Sequence, residues 1–240
     1  MSNEKQSGGA KSGPTPGSRS KAVRVQTARK RSLSSTLWLE RQLNDPFVAE
    51  ARRRGYRSRA AFKLLQLNER FNLLRPGMRL VDLGAAPGGW TQIAVELIRP
   101  ETSGGLVIAL DILEIAPLAG AIMLQADFLD DSAPTRLRAA LSGPADTVLS
   151  DMAAPTTGHT ATDHLRIMGL AENAYDFAAS VLAPGGTFVC KLFQGGAERL
   201  LLERLKRDFA HVRHAKPPAS RADSSETYLV ATGYRGPNQT

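Results

Sequence analysis

Residues 79–91 read RLVDLGAAPGGWT, and this stretch decides the fold. Residues 80–83 are apolar apart from Asp82, which predicts a short buried strand. The next six residues include three glycines and no side chain larger than proline, so a ligand can come close to the backbone. Residues 90–97 then place three apolar side chains on one helical face, those of Ile93, Ala94 and Leu97. A strand, a glycine turn and a helix form the first half of a nucleotide-binding βαβ unit.

Strands and helices continue to alternate after this turn. Further strands are predicted at 105–113, 121–128, 145–151, 187–193, 209–215 and 226–234. Helices are predicted at 164–182 and 196–209. This order predicts an α/β fold with a doubly wound, mostly parallel, seven-stranded Rossmann-like sheet that carries helices on both faces.

Each of the first four predicted strands ends in, or next to, an aspartate. These residues are Asp82, Asp111, Asp127 and Asp151. Ligands of such sheets bind beyond the carboxyl ends of the strands, so four acids at one edge indicate a site. Asp111 lies 22 residues beyond Gly89, which is where related folds place the acid that binds ribose hydroxyls.

The positive charge of the chain is concentrated near its N-terminus. The net charge is +8, with +10 in residues 1–59 and −2 in the remainder. Residues 1–34 have too few apolar side chains to fold and are predicted to be a disordered basic tail. The asymmetry favours a polyanionic partner, nucleic acid before a membrane, with a solubilising tail as the alternative.

Residues 35–240 form the predicted folded domain, and 35–75 its helical, RNA-facing segment. Helices are predicted at 34–43, 46–54 and 59–71, with N-caps at Ser34 or Ser35, at Asp45 and at Ser58. Five arginines and one aromatic residue lie between them, which suits phosphate contact and base stacking. They are Arg52, Arg53, Arg54, Tyr56, Arg57 and Arg59.

Several classes of protein are excluded by composition. No apolar run approaches the roughly 18 residues of a membrane span, and the N-terminus lacks the apolar core of a signal peptide. Cys190 is the one cysteine, so an internal disulfide and a metal site built of several cysteines are impossible. We therefore expect a cytoplasmic protein with neither a membrane partner nor a bound metal.

The glycine turn does not have the dinucleotide spacing G-x-G-x-x-G. It reads Asp-x-Gly-x-x-Pro-Gly-x-Trp, which resembles the first motif of methyltransferases that use S-adenosylmethionine (SAM). Residues 35 to about 235 resemble the FtsJ/RrmJ (RlmE-type) family of ribosomal RNA ribose 2′-O-methyltransferases. The resemblance rests on five segments in order: SRAAFKL with Lys63, VDLGAAPGGW, LSDMA with Asp151, CKLFQG with Lys191, and SRADSSETYLVATG with Glu226.

The resemblance implies which residues act. The catalytic set of the family maps onto Lys63, Asp151, Lys191 and Glu226, with Lys191 as the proton acceptor. Its SAM contacts map onto Gly88, Trp90, Asp111, Asp127 and Asp151, and the glycine turn adds Asp82 and Gly84 to the predicted cofactor site. A side chain at Gly88 is expected to fill the space of the methionine moiety. One departure follows Asp151, where residues 152–156 read MAAPT in place of the usual Met-Ala-Pro-Asn.

Two lysines suit the chemistry of a ribose hydroxyl. The hydroxyl becomes a good nucleophile when its proton is drawn away, and only a neutral lysine can accept that proton. An ordinary lysine has a pKa of about 10.4, so reaching the neutral form near pH 7.4 costs roughly 4 kcal/mol. A second lysine nearby and partial burial reduce that cost. In this interpretation Asp151 holds Lys191, and Glu226 positions Lys63 or the ribose.

The sequence thus predicts SAM-dependent 2′-O-methylation of a ribose in RNA. The resemblance points to a uridine in the A-loop of 23S rRNA, with the large ribosomal subunit as partner and the enzyme acting as a monomer. One alternative is a ribose 2′-O-methyltransferase of the tRNA anticodon loop, which would share the same catalytic residues. Another is an RNA-binding module that kept the fold and lost catalysis, which the intact catalytic set argues against.

Overall fold

A seven-stranded sheet forms the centre of the molecule in a computed structural model that describes residues 32–154, 157–193 and 198–237. The strands are β1 Arg79–Leu83, β2 Leu106–Asp111, β3 Ile122–Gln125, β4 Ala145–Ser150, β5 Leu182–Phe193, β6 Phe209–Ala215 and β7 Glu226–Tyr234. Their spatial order is β3-β2-β1-β4-β5-β7-β6. The first five strands are parallel, and β7 runs antiparallel to β5 and β6. The predicted fold class is confirmed.

Eight helices are present in the described residues. They are α1 Leu33–Leu43, α2 Pro46–Arg54, α3 Ala60–Phe71, α4 Gly89–Ile98, α5 Pro100–Ser103, α6 Ala133–Leu141, α7 Thr160–Val181 and α8 Arg199–Asp208. Within the same residues, no helix combines the length and apolar content needed to cross a bilayer.

The predicted helix starts were partly right. Asp45 caps α2 by accepting the amide N–H of Phe47 at 3.0 Å, as expected. The first cap was wrong, because the Ser32 hydroxyl accepts the Ser35 amide and α1 begins at Leu33. The Ser58 cap was also wrong, because α3 begins after Arg59 without a side-chain cap. Most of the predicted basic tail, residues 1–31, lies outside the described residues.

The sheet buries both faces because successive residues of each strand point to opposite sides. In β1, Leu80 packs into one apolar cluster with α3 and α4, while Val81 packs into the other with α6, α7 and α8. Both side chains are fully buried. Burying a large aliphatic side chain contributes roughly 1.5–3 kcal/mol, so the two clusters hold the helices against the sheet.

The order in which the chain adds strands to the sheet changes direction after β3, so that β1 and β4 lie side by side. The chain moves from β1 outward to β2 and β3, then returns to place β4 on the other side of β1. A crevice opens beyond the carboxyl ends of strands at such a switch point, and ligands of open α/β sheets bind there. The glycine turn after β1 lies at this crevice.

Candidate active site

A cavity of about 780 Å³ occupies the switch-point crevice. Four of the predicted site residues line it, namely Gly84, Asp111, Asp127 and Asp151. Apolar side chains line it as well: Ile112, Leu113, Phe128, Leu129 and Met152. Three of these are exposed despite their size, with Ile112 at 61%, Leu113 at 63% and Leu129 at 57%. Carboxylates beside uncovered apolar surface fit a ligand with a sugar and a flat apolar base.

Backbone amides hold two of these carboxylates in place. Asp111 is the last residue of β2, and its two oxygens accept the N–H groups of Ala86 and Leu113, each at 2.8 Å. Asp127 lies two residues beyond β3 and accepts the N–H of Leu129 at 2.9 Å. Both acids are therefore oriented before any ligand arrives.

Gly84 is required by the close approach of two strand ends. Its φ is +74°, and a Cβ would lie 2.7 Å from the Cα of Met152, which follows β4. Gly88 has a φ of +104°, and a Cβ there would lie 2.7 Å from Nη1 of Arg57. A side chain at position 88 would therefore meet Arg57, and whether it would also enter the space of the methionine moiety stays a prediction.

Neither Gly88 nor Trp90 is among the residues that line the large cavity. Trp90 is buried, donates from Nε1 to the carbonyl of Ala60 at 2.8 Å and packs its ring against Tyr228 at 5.6 Å. It therefore fixes the start of α3, which carries Lys63. Direct contact of Gly88 and Trp90 with a cofactor remains a prediction.

Asp82 lies inside β1 and not at the edge of the cavity. Its carboxylate is fully buried and accepts the Thr91 hydroxyl at 2.7 Å, while Oδ1 has no partner among the described residues. Burial raises the pKa of Asp82 to about 7. The residue ties the strand to α4 behind the glycine turn.

Asp82→Asn should change how stability depends on pH. The pKa of Asp82 is higher in the folded protein than the value of about 3.9 in an unfolded chain, so the folded state binds the proton more tightly. The protonation of Asp82 therefore contributes fully to the unfolding free energy below pH 4. That contribution, up to roughly 4 kcal/mol, is lost as the pH rises through 7. Asparagine does not titrate. As the pH is raised from 4 to 8, the free energy of unfolding measured with urea should therefore fall more in the wild type than in Asp82→Asn. Parallel pH profiles would contradict this prediction.

The four predicted catalytic residues lie in one hydrogen-bonded network. Lys63 of α3 contacts both carboxylate oxygens of Glu226, each at 2.8 Å, and donates to the Tyr228 hydroxyl at 3.1 Å. Lys191 of β5 donates to the backbone carbonyl of Asp151 at 2.5 Å and lies 3.0 Å from its Oδ1. Tyr228 donates to that same Oδ1 at 2.8 Å and so joins the two pairs.

The charges of this network balance, with two lysines and two carboxylates. Burial alone would raise the pKa of Asp151, but the ammonium groups of Lys191 and Lys63 outweigh it and hold that pKa below its usual value. Burial, and then the charges of Asp151 and Glu226, raise the pKa of Tyr228 well above 10. Tyr228 therefore stays a neutral hydroxyl that can both donate and accept.

Tyr228 is the member of the catalytic network that the sequence analysis does not predict. A usable signal was present, because residues two apart on a strand share a face and Glu226 had been predicted on the same strand. The strand register confirms the placement, with Tyr228 opposite Lys191. Arg166 and Asn173 of α7 also line the large cavity and were not predicted.

A second cavity, of about 350 Å³, opens on the other side of the network. It is lined by Arg41, Arg59, Lys63, Arg221, Asp223, Ser224 and Glu226. Asp151 lines the first cavity, Lys63 and Glu226 line the second, and Tyr228 connects them. Among the charged side chains that the structure describes, acids outnumber bases in the first cavity and bases outnumber acids in the second, so the two cavities suit ligands of opposite charge.

The arginine run predicted for RNA contact is largely engaged within the protein. Arg53 and Arg54 pair with Glu50, and Arg59 pairs with Asp45 at 2.8 Å. Arg57 donates to the carbonyls of Ala116 and Pro117, each at 2.7 Å. Arg52 is exposed, and Tyr56 packs edge-on against Phe62. Of the six residues, only Arg59 lines the basic cavity.

Two segments near the network are only partly described. In the altered loop after Asp151, residues 155 and 156 lie outside the described residues, as do 194–197 after β5. No group of three or more metal-binding side chains occurs in the remainder of the chain that the structure describes.

The sequence and the fold of this chain are similar to those of known proteins. The model of the FtsJ-like methyltransferase family matches residues 56–234. A ribosomal RNA large subunit methyltransferase E of Paramagnetospirillum magneticum is 66% identical over 231 residues, covering 95% of this chain and 94% of the relative. The protein of that name in Rhodospirillum rubrum is 64% identical over 226 residues, covering 94% and 86%. The crystal structure of a Plasmodium falciparum ribosomal RNA methyltransferase superposes with a TM-score of 0.67 at 28% identity, covering 76% of this chain and all of that one.

Proposed function

The chain belongs to the FtsJ-like methyltransferase family, and we propose that it methylates a ribose 2′-hydroxyl of large-subunit ribosomal RNA with SAM as the methyl donor. The observation that carries this proposal is the meeting of two cavities of opposite charge at one lysine and carboxylate network. The relatives named above support the large-subunit RNA as substrate. A uridine of the 23S A-loop as the target, a cytoplasmic location and a monomeric state remain predictions.

The residues of the large cavity fit SAM. Bound there, SAM would supply a methyl group activated by the positive charge of its sulfonium. Asp111 and Asp127 are fixed by backbone amides and can accept hydrogen bonds from ribose hydroxyls or an adenine amino group. Ile112, Leu113 and Leu129 can cover the faces of the base and exclude water. The carboxylate of Asp151 favours a positive charge at the inner end of the cavity.

We propose Lys191 as the base, and the number of its contacts supports this role. A neutral lysine has two N–H donors and one lone pair. Lys191 makes two contacts, to the carbonyl and to Oδ1 of Asp151, so it can lose a proton and keep both. Its lone pair would then be available for the proton of the acceptor hydroxyl.

Lys63 is suited to remain charged. It reaches three acceptors, the two oxygens of Glu226 and the Tyr228 hydroxyl, which use all three protons of an ammonium group. Losing a proton would break one of these three contacts, whereas Lys191 would keep both of its contacts. Lys63 and Glu226 therefore position the ribose at the mouth of the basic cavity, and much of the acceleration comes from holding two reactants together.

A panel of RNA substrates tests this proposal against its rivals. Large subunits, free ribosomal RNA and bulk tRNA from cells lacking the enzyme are incubated with labelled SAM, and methylated riboses are mapped. We expect incorporation at one 2′-hydroxyl of 23S rRNA. Incorporation into tRNA alone would support the anticodon-loop alternative, and no incorporation into any RNA would support the inactive binding module.

Arg57→Ala should weaken SAM binding without removing a side chain from the large cavity. The guanidinium of Arg57 holds the loop after β2 through the carbonyls of Ala116 and Pro117, and that loop carries Ile112 and Leu113 into the cavity. Losing these contacts should raise the Kd of SAM by about tenfold, equivalent to about 1.4 kcal/mol. Calorimetry measures the change.

Arg52→Ala is the matched control for this prediction, because it removes a guanidinium from the same basic segment at an exposed position. Its SAM affinity should equal that of wild type. An Arg57→Ala protein with undiminished affinity would show that the loop does not depend on Arg57.

A further inference from the structure

The basic cavity continues away from the catalytic network as a groove. A neighbouring cavity of about 340 Å³ shares Arg41, Arg59, Arg221 and Asp223 with it. We call these shared residues the arginine groove. Arg41 comes from α1, and Arg221 from the loop between β6 and β7. Lys63 and Glu226 line the first of these two cavities, so an RNA chain whose ribose reaches the network can extend along the groove.

Three guanidiniums, those of Arg41, Arg59 and Arg221, face two carboxylates in the arginine groove, those of Asp45 and Asp223. Asp45 is shared by two guanidiniums, with Arg59 at 2.8 Å and Arg221 at 3.4 Å. The same carboxylate also caps α2. Within residues 32–154, 157–193 and 198–237, the side chain of Arg41 makes neither a hydrogen bond nor an ion pair. No described residue competes with a ligand for this guanidinium, and the two contacts of the Arg221 guanidinium with Asp45, from Nε and from Nη2, are both 3.4 Å long.

We propose that the arginine groove binds a backbone phosphate of the RNA next to the acceptor nucleotide, with Arg41 and Arg221 as its main ligands. This inference rests on the proposed function. An acceptor ribose at Lys63 and Glu226 has a phosphodiester on each side, and the same cavity presents the arginines of the groove to one of them. Guanidinium groups present paired N–H donors that match phosphate oxygens, so two arginines from separate elements can fix one phosphate.

Phosphate binding here would set the register of the RNA and leave the chemical step unchanged. Phosphate contacts position a nucleic acid without reading its bases. Arg41 and Arg221 do not belong to the network that moves the proton. Their loss should therefore appear in the KM for RNA and in its salt dependence, with kcat and SAM affinity preserved.

The test compares Arg41→Ala, Arg221→Ala and the double variant on large ribosomal subunits. Each single variant should raise the KM for large subunits by about tenfold while kcat stays within twofold. In the double variant, the slope of the logarithm of the binding constant against the logarithm of the salt concentration should be smaller by about two. Arg41→Lys should recover part of the loss because it keeps the charge. Arg75→Ala is the matched control. Arg75 is exposed and lies before β1, at the amino ends of the parallel strands and therefore away from the cavities at their carboxyl ends.

Failure of this inference is distinguishable from failure of the proposed function. If wild type methylates large subunits and the double variant has the same KM and salt slope, the phosphate site is overturned while the enzyme assignment stands. If wild type methylates no RNA, the proposed function itself fails. Should Arg221→Ala disturb folding through Asp45, Arg41→Ala still decides, because Arg41 has no partner in the described part of the protein to lose.

Discussion

Lys191→Arg should lose almost all methyl transfer while the protein still binds both substrates. We expect the single-turnover rate to fall by roughly 10²–10⁴-fold, the usual effect of removing a general base. A guanidinium keeps its proton at any pH the enzyme tolerates, since its pKa exceeds about 12. It keeps the positive charge beside Asp151, so the variant separates a base from an electrostatic anchor. Affinities for SAM and for large subunits should remain within a few-fold of wild type.

Lys63→Arg is the matched control for this experiment. Lys63 is assigned to remain charged, and arginine keeps both the charge and the capacity to donate to Glu226 and Tyr228. The loss of rate should therefore be clearly smaller than in Lys191→Arg. The wild-type rate should also rise with pH, because only the neutral amine accepts a proton. A Lys191→Arg enzyme with a near wild-type single-turnover rate would leave Lys191 as a positioning residue and overturn its role as base.

The fold could be predicted from the sequence because its signals are local. The apolar run at 80–83, the glycine turn and the alternation of strands and helices each depend on neighbouring residues only. The cap at Asp45 was predictable for the same reason, since proline follows it at the first helical position. Ser58 offered the same kind of signal and failed, because its hydroxyl is buried beside Gly89, where it has no partner in the described residues.

The site was only partly predictable, because its contacts are distant in sequence. The resemblance supplied Lys63, Asp151, Lys191 and Glu226, and the structure brings all four together. Composition predicts an RNA-binding role for the arginine run, but composition cannot show that Arg57 donates to carbonyls about sixty residues away in the sequence. Tertiary packing decides which arginines are occupied, and it left Arg41 free among the described residues.

Gly88→Val should raise the Kd of SAM by roughly 100-fold or more, a loss of about 2.7 kcal/mol. Two effects add. A β-branched residue at a φ of +104° is strained. Its Cβ would also lie 2.7 Å from Nη1 of Arg57 and 3.4 Å from Ile115, which packs against Ala85 of the glycine turn. The flexible guanidinium can move aside, but it then leaves the carbonyls that it holds.

Gly104→Ala is the matched control for the backbone, because Gly104 has a φ of +73° and no atom within 4 Å of a Cβ. Gly104→Ala introduces the strain of a positive φ alone, whereas Gly88→Ala introduces both that strain and the contact with Arg57. Combining Gly88→Ala with Arg57→Ala completes a cycle, and two changes that act through one contact should cost less together than the sum of the single changes. Calorimetry with SAM on each folded variant gives the four affinities. Strictly additive losses would mean that a side chain at position 88 acts on the cofactor directly, as the sequence alone predicts, and not through Arg57.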